Sequence, residues 1–189
     1  LFEIPSNLIL QRVGVKFWIA RIMIVWGLLA SAMVVVNTPM QFYILRFLLG
    51  IAEAGFFPGI ILYLTYWYPA PNRAKATATF MSAVALAGVI GGPISGLIMT
   101  YLDGVATLKG WQWLFLIEGS PAVILGVVVA LYLENSPKEA RWLTETERGW
   151  LMMQLDSESM QKEQSGHIIG FNKALCNVKL WLLSLVYFS

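Results

Sequence analysis

Residues 40–68 read MQFYILRFLLGIAEAGFFPGIILYLTYWY, an apolar run in which Arg46 and Glu53 are the only charged side chains. An ionisable side chain at membrane depth costs at least ~2.5–3.5 kcal/mol, so it usually faces a partner or a water-filled cavity. The two residues lie seven positions apart, which is about two helical turns or ~10 Å along a helix axis. We therefore expect both side chains to lie on the same face of one helix.

The composition of the 189-residue chain indicates a polytopic membrane protein. Hydrophobic residues make up 58% and charged residues 13%, against roughly 45–50% and 25% in soluble domains. The mean hydropathy is +0.67, and the net charge of +2 gives no case for a nucleic-acid partner. Cys176 is the sole cysteine, which excludes an intrachain disulfide and a cysteine metal site. We expect it to be an ordinary apolar residue.

Four apolar stretches are long enough to cross a bilayer, which takes ~20 residues. Because only helices satisfy their backbone groups within lipid at this segment length, we predict an all-α, polytopic transmembrane bundle. The chain begins without Met and ends within an apolar run, so we expect it to be part of a longer protein. The predicted spans cover residues 17–36, 40–68, 74–101 and 111–133, with partial spans at 1–11 and from 174 onward.

Basic residues in the loops predict the orientation of the bundle. Nine of them lie in alternate loops, at 12–16, 68–75 and 134–173, whereas Lys109 stands alone in the other set, at 37–39 and 102–110. By the positive-inside rule the loops with nine basic residues are cytoplasmic. The nine are Arg12, Lys16, Arg73, Lys75, Lys138, Arg141, Arg148, Lys162 and Lys173.

The segment 134–173 is more polar than the rest. Thr144-Glu-Thr-Glu147 resembles a capping box, and apolar residues from Leu143 to Leu155 recur near helical spacing, so we predict a short amphipathic helix. His167 has no neighbouring ligand, and we expect it to be solvated rather than metal-binding. The predicted parts are an N-terminal transmembrane half at 1–133, a central cytoplasmic loop at 134–173 and the start of a C-terminal half at 174–189.

Arg46 and Glu53 admit two interpretations. One is a structural ion pair that holds helices together. The other combines a cation that binds an anion with a carboxylate that accepts a proton, because desolvation favours the neutral form of a carboxylate and a nearby guanidinium favours the charged form. A substrate that competes for Arg46 would then couple proton binding to anion binding. Arg stays charged and can bind a carboxylate with two parallel hydrogen bonds, which makes it the better anchor.

Small residues and prolines crowd two of the spans. We expect them to allow close helix packing and bending, since small residues four apart let membrane helices approach. A phosphate-binding loop is the rival interpretation, but no Gly-Lys-Ser/Thr follows. The residues are Gly50, Gly55, Pro58, Gly92, Pro93 and Gly96.

Glu118 is a second acidic candidate, about two turns into its span. We favour a packing or gating hydrogen bond for it, and a second proton site is the alternative. Phe56, Tyr63 and Met81 are candidate substrate contacts that the residues alone do not rank.

Several motifs resemble a known family. The turn Gln11-Arg12-Val13-Gly14-Val15-Lys16 resembles the loop motif between the second and third helices of major facilitator superfamily transporters, which has an acidic residue where this chain has Gln11. More narrowly, residues 46–59 (RFLLGIAEAGFFPG), 92–96 (GPISG) and 110–119 (GWQWLFLIEG) are similar to the anion:cation symporter family. That family includes bacterial permeases for tartrate, sugar acids and hydroxyphenylacetate.

The resemblance implies a twelve-helix fold of two halves, of which this chain would cover helices two to six and the start of seven. Arg46 and Glu53 match the family's fourth-helix Arg and Glu, which are implicated in coupling proton entry to anion transport. The implied protein is a monomeric secondary transporter of the inner or plasma membrane, without a cofactor or metal. Its implied partners are a small organic carboxylate anion, protons and the lipid bilayer, and its implied mechanism is proton-coupled symport by alternating access.

Three alternatives stay open at the level of sequence. A proton-driven antiporter of the same superfamily would export its substrate, and Na⁺ could replace the proton as the coupling ion. A membrane receptor would use Arg46 and Glu53 for folding alone. An enzyme is not expected, because no nucleophile with a base and no cofactor loop is recognisable.

Overall fold

The computed structural model of the protein describes residue 10 and residues 13–164, and side chains up to residue 160. Within these residues the fold is all-helical, as predicted, and contains no strand. Apart from residue 10, the predicted partial spans lie outside the described residues, as do Arg12, His167 and Cys176. The helices are α1 (Val15–Ala32), α2 (Pro39–Glu53), α3 (Phe56–Trp67), α4 (Ala70–Tyr101), α5 (Gly110–Tyr132) and α6 (Glu145–Gln164), with 3₁₀ turns at Met33–Val35 and Val105–Thr107.

Four stretches of the structure are long and apolar enough to cross a membrane, which confirms the four predicted spans. They are Val15–Val35, Pro39–Trp67, Ala70–Tyr101 and Gly110–Tyr132. Their ends agree with the predicted ends to within a few residues, because the same polar and Pro/Gly-rich segments that interrupt the apolar runs also end the helices.

Two helices begin with reciprocal hydrogen bonds. At α2 the Gln41 amide donates to Thr38 Oγ1 (3.3 Å), and the Thr38 amide donates to Gln41 Oε1 (3.2 Å). At α6 the Glu147 amide donates to Thr144 Oγ1 (3.3 Å), while the Thr144 amide and hydroxyl both donate to Glu147 (3.0 and 2.7 Å). The predicted capping box is thus confirmed, and these bonds hold the pKa of Glu147 below its ordinary value.

Helices α1 and α5 pack closely against each other at glycines. A methyl group added at Gly119 would lie 2.8 Å from the Gly27 carbonyl oxygen, and one added at Gly27 would lie 2.7 Å from the Gly119 carbonyl oxygen. Gly126, two turns further along α5, would meet the Ile24 backbone nitrogen at 3.0 Å in the same way. Backbone therefore packs directly on backbone along this seam, as small residues allow in membrane helices.

The second span is interrupted in its middle. Helix α2 ends at Glu53 and α3 begins at Phe56, with Gly55 between them at φ +91°. Only glycine adopts this left-handed conformation without strain. Pro58 lies in the first turn of α3, where its missing N–H leaves no helical hydrogen bond unmade. The discontinuity thus precedes Pro58, whereas Pro93 lies inside α4, which is continuous from Ala70 to Tyr101.

The segment that follows α5 returns to the start of α1. Gly14, at φ +94°, precedes α1 and offers no side chain to cap it. Instead, the Lys16 amide donates to Asn135 Oδ1 (3.1 Å), so Asn135 caps the helix from a distance in sequence. Trp142 of the same segment stacks on Trp67 with ring centroids 5.7 Å apart. These contacts tie the ends of α1, α3 and α5 together.

Helix α6 is attached to the start of α4 by one ion pair. The Arg73 guanidinium donates to Glu158 at 3.0 Å, and Glu158 also accepts from the Ala70 amide at 2.8 Å. A carboxylate at the first turn of a helix is favoured by the helix dipole. A helix is therefore present where one was predicted, and it lies against the same end of the bundle as the segment 134–144.

The glycine seam leads to a first prediction. Gly119→Ala in the full-length protein should lower the thermal stability by about 1–3 kcal/mol, because the new methyl group meets backbone atoms that cannot move independently. Gly149→Ala is the matched control, since nothing lies within 4 Å of that site in α6 and alanine favours helix there. Melting curves of the two purified variants measure their stabilities. Equal melting temperatures would contradict the close backbone packing of α1 on α5.

Candidate functional site

Arg46 and Glu53 lie on α2, seven residues apart, and both side chains are exposed. No ion pair within 4.0 Å joins them, and the ion pair found in the described part of the chain is that between Arg73 and Glu158. The pair therefore does not act as a closed structural salt bridge in this conformation. Each charge is available to a third group, which is the arrangement that a binding site requires.

Arg46 is positioned by aromatic rings. Its guanidinium carbon lies 5.2 Å from the ring centre of Phe42, one turn earlier on α2, and 5.7 Å from that of Phe115 on α5. Both distances are within the range of cation–π attraction. No hydrogen bond to Arg46 is formed within the described residues. The rings hold the cation while its N–H groups stay free to donate.

Glu53 lines a cavity of about 220 Å³ whose other walls are apolar. A carboxylate that borders apolar walls is available to a cation or a proton that enters the cavity. The walls are Ile22, Met23 and Trp26 of α1, Phe56 of α3 and Ala122 of α5. Three helices thus converge on the acidic group.

The interruption of the second span lies directly beside this carboxylate. Glu53 is the last residue of α2, and the backbone then turns through Ala54 and Gly55 before α3 begins. Non-helical backbone at membrane depth is tolerated where it is buried in protein or lines a water-filled cavity. Gly55 itself is buried. Discontinuous membrane helices are a recurring feature of substrate and ion sites in transporters.

Glu118 is engaged by a neighbouring helix. Ser95 Oγ of α4 donates to Glu118 Oε1 of α5 at 2.9 Å. The hydrogen bond that we favoured for Glu118 is thus present in the structure. Its use as a second proton site stays a prediction.

The remaining predicted residues divide into two groups. Gly50, Gly92 and Gly96 have open space where a side chain would be, so their packing role stays a prediction within the described residues. Of the candidate contacts, Phe56 lines the Glu53 cavity. Tyr63 instead donates to the Glu134 carbonyl oxygen at 3.1 Å, so its hydroxyl serves the packing of the loop.

The α1 wall of the cavity and Arg21, a cation within the first span, were not predicted from the sequence. Trp26, an aromatic residue in mid-span, lines that wall. Arg21 lies within the first described span, and its guanidinium carbon sits 4.0 Å from the ring centre of Trp18. The spacing of Gly119 and Gly126, seven residues apart on one helix face, was the available signal for the seam.

No group of three or more His, Cys, Asp or Glu side chains that could hold a metal ion occurs in the described residues. Arg46 and Glu53 instead offer hydrogen-bond donors for an anion and a carboxylate for a proton.

Comparison with known proteins gives a consistent result. The family model described as Major Facilitator Superfamily matches residues 1–189. A protein of Agrobacterium vitis named "Putative tartrate transporter" is 53% identical over 100% of this chain and 43% of its own length. A Pseudomonas putida protein named "Putative metabolite transport protein NicT" is 50% identical over 100% of this chain and 43% of its own length.

A third relative, a "Quinolone resistance transporter" of Acinetobacter baumannii, is 41% identical over 99% of this chain and 43% of its own length. The chain therefore spans less than half the length of these relatives. They carry the names of transporters, which agrees with the prediction that the protein is not an enzyme. The four apolar spans and this similarity identify a multi-pass membrane protein.

The bond between Ser95 and Glu118 leads to a second prediction. Ser95→Ala should lower stability by about 0.5–1.5 kcal/mol, because it removes the donor, whereas Glu118→Gln should be nearly neutral, because an amide oxygen still accepts. Thermal melting measures both effects. If Glu118 is a packing group, Glu118→Gln also leaves the pH dependence of uptake by the full-length protein unchanged. A shifted pH profile would instead identify it as a second proton site.

Proposed function

The chain belongs to the major facilitator superfamily, and we propose that the full-length protein carries a small organic carboxylate together with protons by alternating access. The observation that carries the proposal is the position of Glu53. It ends a broken membrane helix, lines a cavity with apolar walls, and shares its helix face with an unpaired Arg46. The names of the relatives, two of which refer to tartrate or metabolite transport, support a small organic substrate.

Arg46 supplies the anion-binding group in this proposal. Its guanidinium forms no hydrogen bond or ion pair within the described residues, and the rings of Phe42 and Phe115 orient it. A carboxylate substrate can accept two parallel hydrogen bonds from such a group. Since Arg does not lose its proton, the anion site stays charged throughout the cycle.

Glu53 supplies the coupling group. When the substrate occupies Arg46, the Glu53 carboxylate has no cation nearby in its apolar cavity, and proton uptake removes the cost of its charge. When the substrate leaves, the free guanidinium favours the ionised carboxylate and the proton is released. Proton binding and anion binding then promote each other, which is the thermodynamic condition for symport.

The backbone break gives a place for the conformational change. The chain leaves helical geometry between Glu53 and Phe56, where Gly55 has φ +91°, so a change in the angle between α2 and α3 can be taken up there. Movement there would shift Glu53 relative to Trp26 and Phe56 and so alter access to the carboxylate.

The coupling role is tested by Glu53→Gln in the full-length protein in vesicles. We expect uptake driven by a proton gradient to fall about tenfold or more, because a glutamine accepts no proton. Counterflow of substrate without a gradient should persist, since Arg46 remains. The matched control is Glu145→Gln, the same change at an exposed site in α6, which should leave both activities intact.

Unchanged proton-driven uptake together with normal counterflow in the Glu53→Gln protein would overturn the coupling role. Loss of both activities in a correctly folded protein would assign Glu53 to substrate binding instead. The test is repeated with a Na⁺ gradient in place of the proton gradient, and Na⁺-driven uptake that depends on Glu53 would replace the proton as the coupling ion.

The anion-binding role is tested by Arg46→Lys. Lysine keeps the positive charge but loses the planar fork, so we expect the apparent affinity for a carboxylate to fall by about tenfold or more while the protein still folds. Uptake at increasing concentrations of tartrate, a probe suggested by the relatives, measures the affinity. An unchanged affinity for every carboxylate in a panel would contradict a direct contact with Arg46.

Export is the second candidate function, because one relative is named for quinolone resistance. The two functions predict opposite proton movements when substrate is added to energised vesicles. A symporter carries protons in the same direction as the substrate, whereas a proton-driven exporter carries protons in the direction opposite to the substrate. A pH-sensitive dye inside the vesicles distinguishes the two directions.

A further inference from the structure

The cavity that Glu53 lines, here called the Glu53 cavity, contains one charged group among apolar side chains. Glu53 lies at the middle of the span Pro39–Trp67, and its carboxylate makes no hydrogen bond or ion pair with another described residue. The side chain is exposed, so a ligand that enters the cavity can reach the carboxylate. The other described wall residues are Ile22, Met23, Trp26, Phe56 and Ala122.

The volume of the Glu53 cavity limits its ligand to a compact group. The cavity holds about 220 Å³, which is below the ~300–1,000 Å³ of sites for drug-sized ligands. An apolar cavity of ~150 Å³ is already large enough for benzene. The Glu53 cavity therefore accommodates one ring, or one branched group of similar size, beside the carboxylate.

The walls of the Glu53 cavity favour a cation that has no hydrogen-bond donors. Trp26 of α1 and Phe56 of α3 are half-buried and supply aromatic rings, and the thioether of Met23 is polarisable. A primary ammonium brings three N–H donors, and one carboxylate among apolar walls would leave some of them unsatisfied. A quaternary ammonium has no N–H, and its methyl groups can contact the carboxylate and the rings together.

Two arginines within the spans are themselves held by aromatic rings. The guanidinium carbon of Arg46 lies 5.2 Å from the ring centre of Phe42, and that of Arg21 lies 4.0 Å from the ring centre of Trp18. Neither arginine is among the wall residues of the cavity. The bundle thus uses aromatic rings to accommodate positive charge, and the Glu53 cavity combines such rings with a carboxylate that no described cation neutralises.

We propose that the Glu53 cavity binds a small quaternary ammonium ion that carries an aryl group, such as phenyltrimethylammonium. The carboxylate attracts the ammonium, and Trp26 and Phe56 contact its methyl groups and its ring. Because Glu53 lies at the middle of a span, lipid head groups do not reach it, and the ligand is a free cation. The bound cation takes the place of the proton on Glu53, so it inhibits proton-driven uptake; this last consequence alone rests on the proposed function.

Two competitors that differ in one atom test the role of the charge. Choline and 3,3-dimethylbutan-1-ol have the same shape, but the alcohol has a neutral carbon in place of the nitrogen. Each displaces radiolabelled phenyltrimethylammonium from the purified full-length protein in detergent. We expect choline to act at a concentration about tenfold or more below that of the alcohol, since the carboxylate and the rings attract the charge. Ethanolamine, which has three N–H donors, should be weaker than choline by about threefold or more.

Variants assign the binding to the Glu53 cavity. Glu53→Gln keeps the size of the side chain and removes its charge, so the affinity for phenyltrimethylammonium should fall about tenfold or more, and choline should lose its advantage over the alcohol. Trp26→Leu removes a ring and should lower the affinity about threefold or more. The matched controls are Glu145→Gln and Trp150→Leu at exposed sites in α6, and both should bind as the unaltered protein does.

Each variant must elute from a sizing column as the unaltered protein does. If Glu53→Gln does not, it is replaced by Glu53→Asp, which draws the charge back by one methylene and should also weaken binding. Phe56→Leu replaces Trp26→Leu in the same way. Binding is measured without a proton gradient, so it separates the cation site from the coupling role. Loss of binding in Glu53→Gln with unchanged proton-driven uptake would support the cation site and contradict the coupling role.

Four results would overturn the proposal. Equal displacement by choline and 3,3-dimethylbutan-1-ol would show that the charge is not recognised. Ethanolamine that binds as tightly as choline would contradict the preference for a quaternary ion. Unchanged binding in Glu53→Gln would place the site elsewhere. The absence of saturable binding up to about 10 mM phenyltrimethylammonium would show that the Glu53 cavity does not hold a cation.

Discussion

The contact between α1 and α5 at Gly27 and Gly119 is the interaction on which the rest of the described structure depends. At these residues the two backbones meet without side chains between them, and this close approach fixes the rotation and height of each helix relative to the other. Ile22, Met23 and Trp26 on α1 and Ala122 on α5 are thereby placed around Glu53. The same alignment brings Lys16 of α1 beside Glu134 after α5. The arrangement around Glu53 thus follows from this seam.

The broken second span shows what a membrane site requires beyond a charged residue. Glu53 would be expensive in a continuous helix that faces lipid. Here it ends α2, beside a buried Gly55 whose positive φ releases the chain from helical geometry. The arrangement combines a carboxylate, a hinge and an apolar wall within a few residues. Arg46, held by two aromatic rings rather than by an acid, adds a cation whose donors are not already used.

The basic end of the bundle is held by polar contacts of a different kind. Asn135 caps α1 in place of Gly14, Trp142 stacks on Trp67, and Glu158 joins α6 to Arg73. Capping and charge-assisted hydrogen bonds act where water and lipid head groups meet, and there they order segments that have little apolar surface to bury. A conformational change in the middle of the membrane spans would have to be transmitted by these contacts to change the position of α6.

The sequence alone determined the four spans, the all-helical class, the capping box at Thr144 and the choice of Arg46 and Glu53. These depend on local properties, namely apolar run length, cap chemistry and the cost of a charge at membrane depth. The sequence did not predict the break at Gly55 ahead of Pro58. Glycine is compatible with a helical backbone and with a backbone at positive φ, and contacts with neighbouring helices decide which of the two it adopts. Only the tertiary structure decided that Trp26 and Glu53 line one cavity and that Asn135 caps α1. Those facts join residues far apart in the chain, and they follow from the helix rotation that the glycine seam imposes.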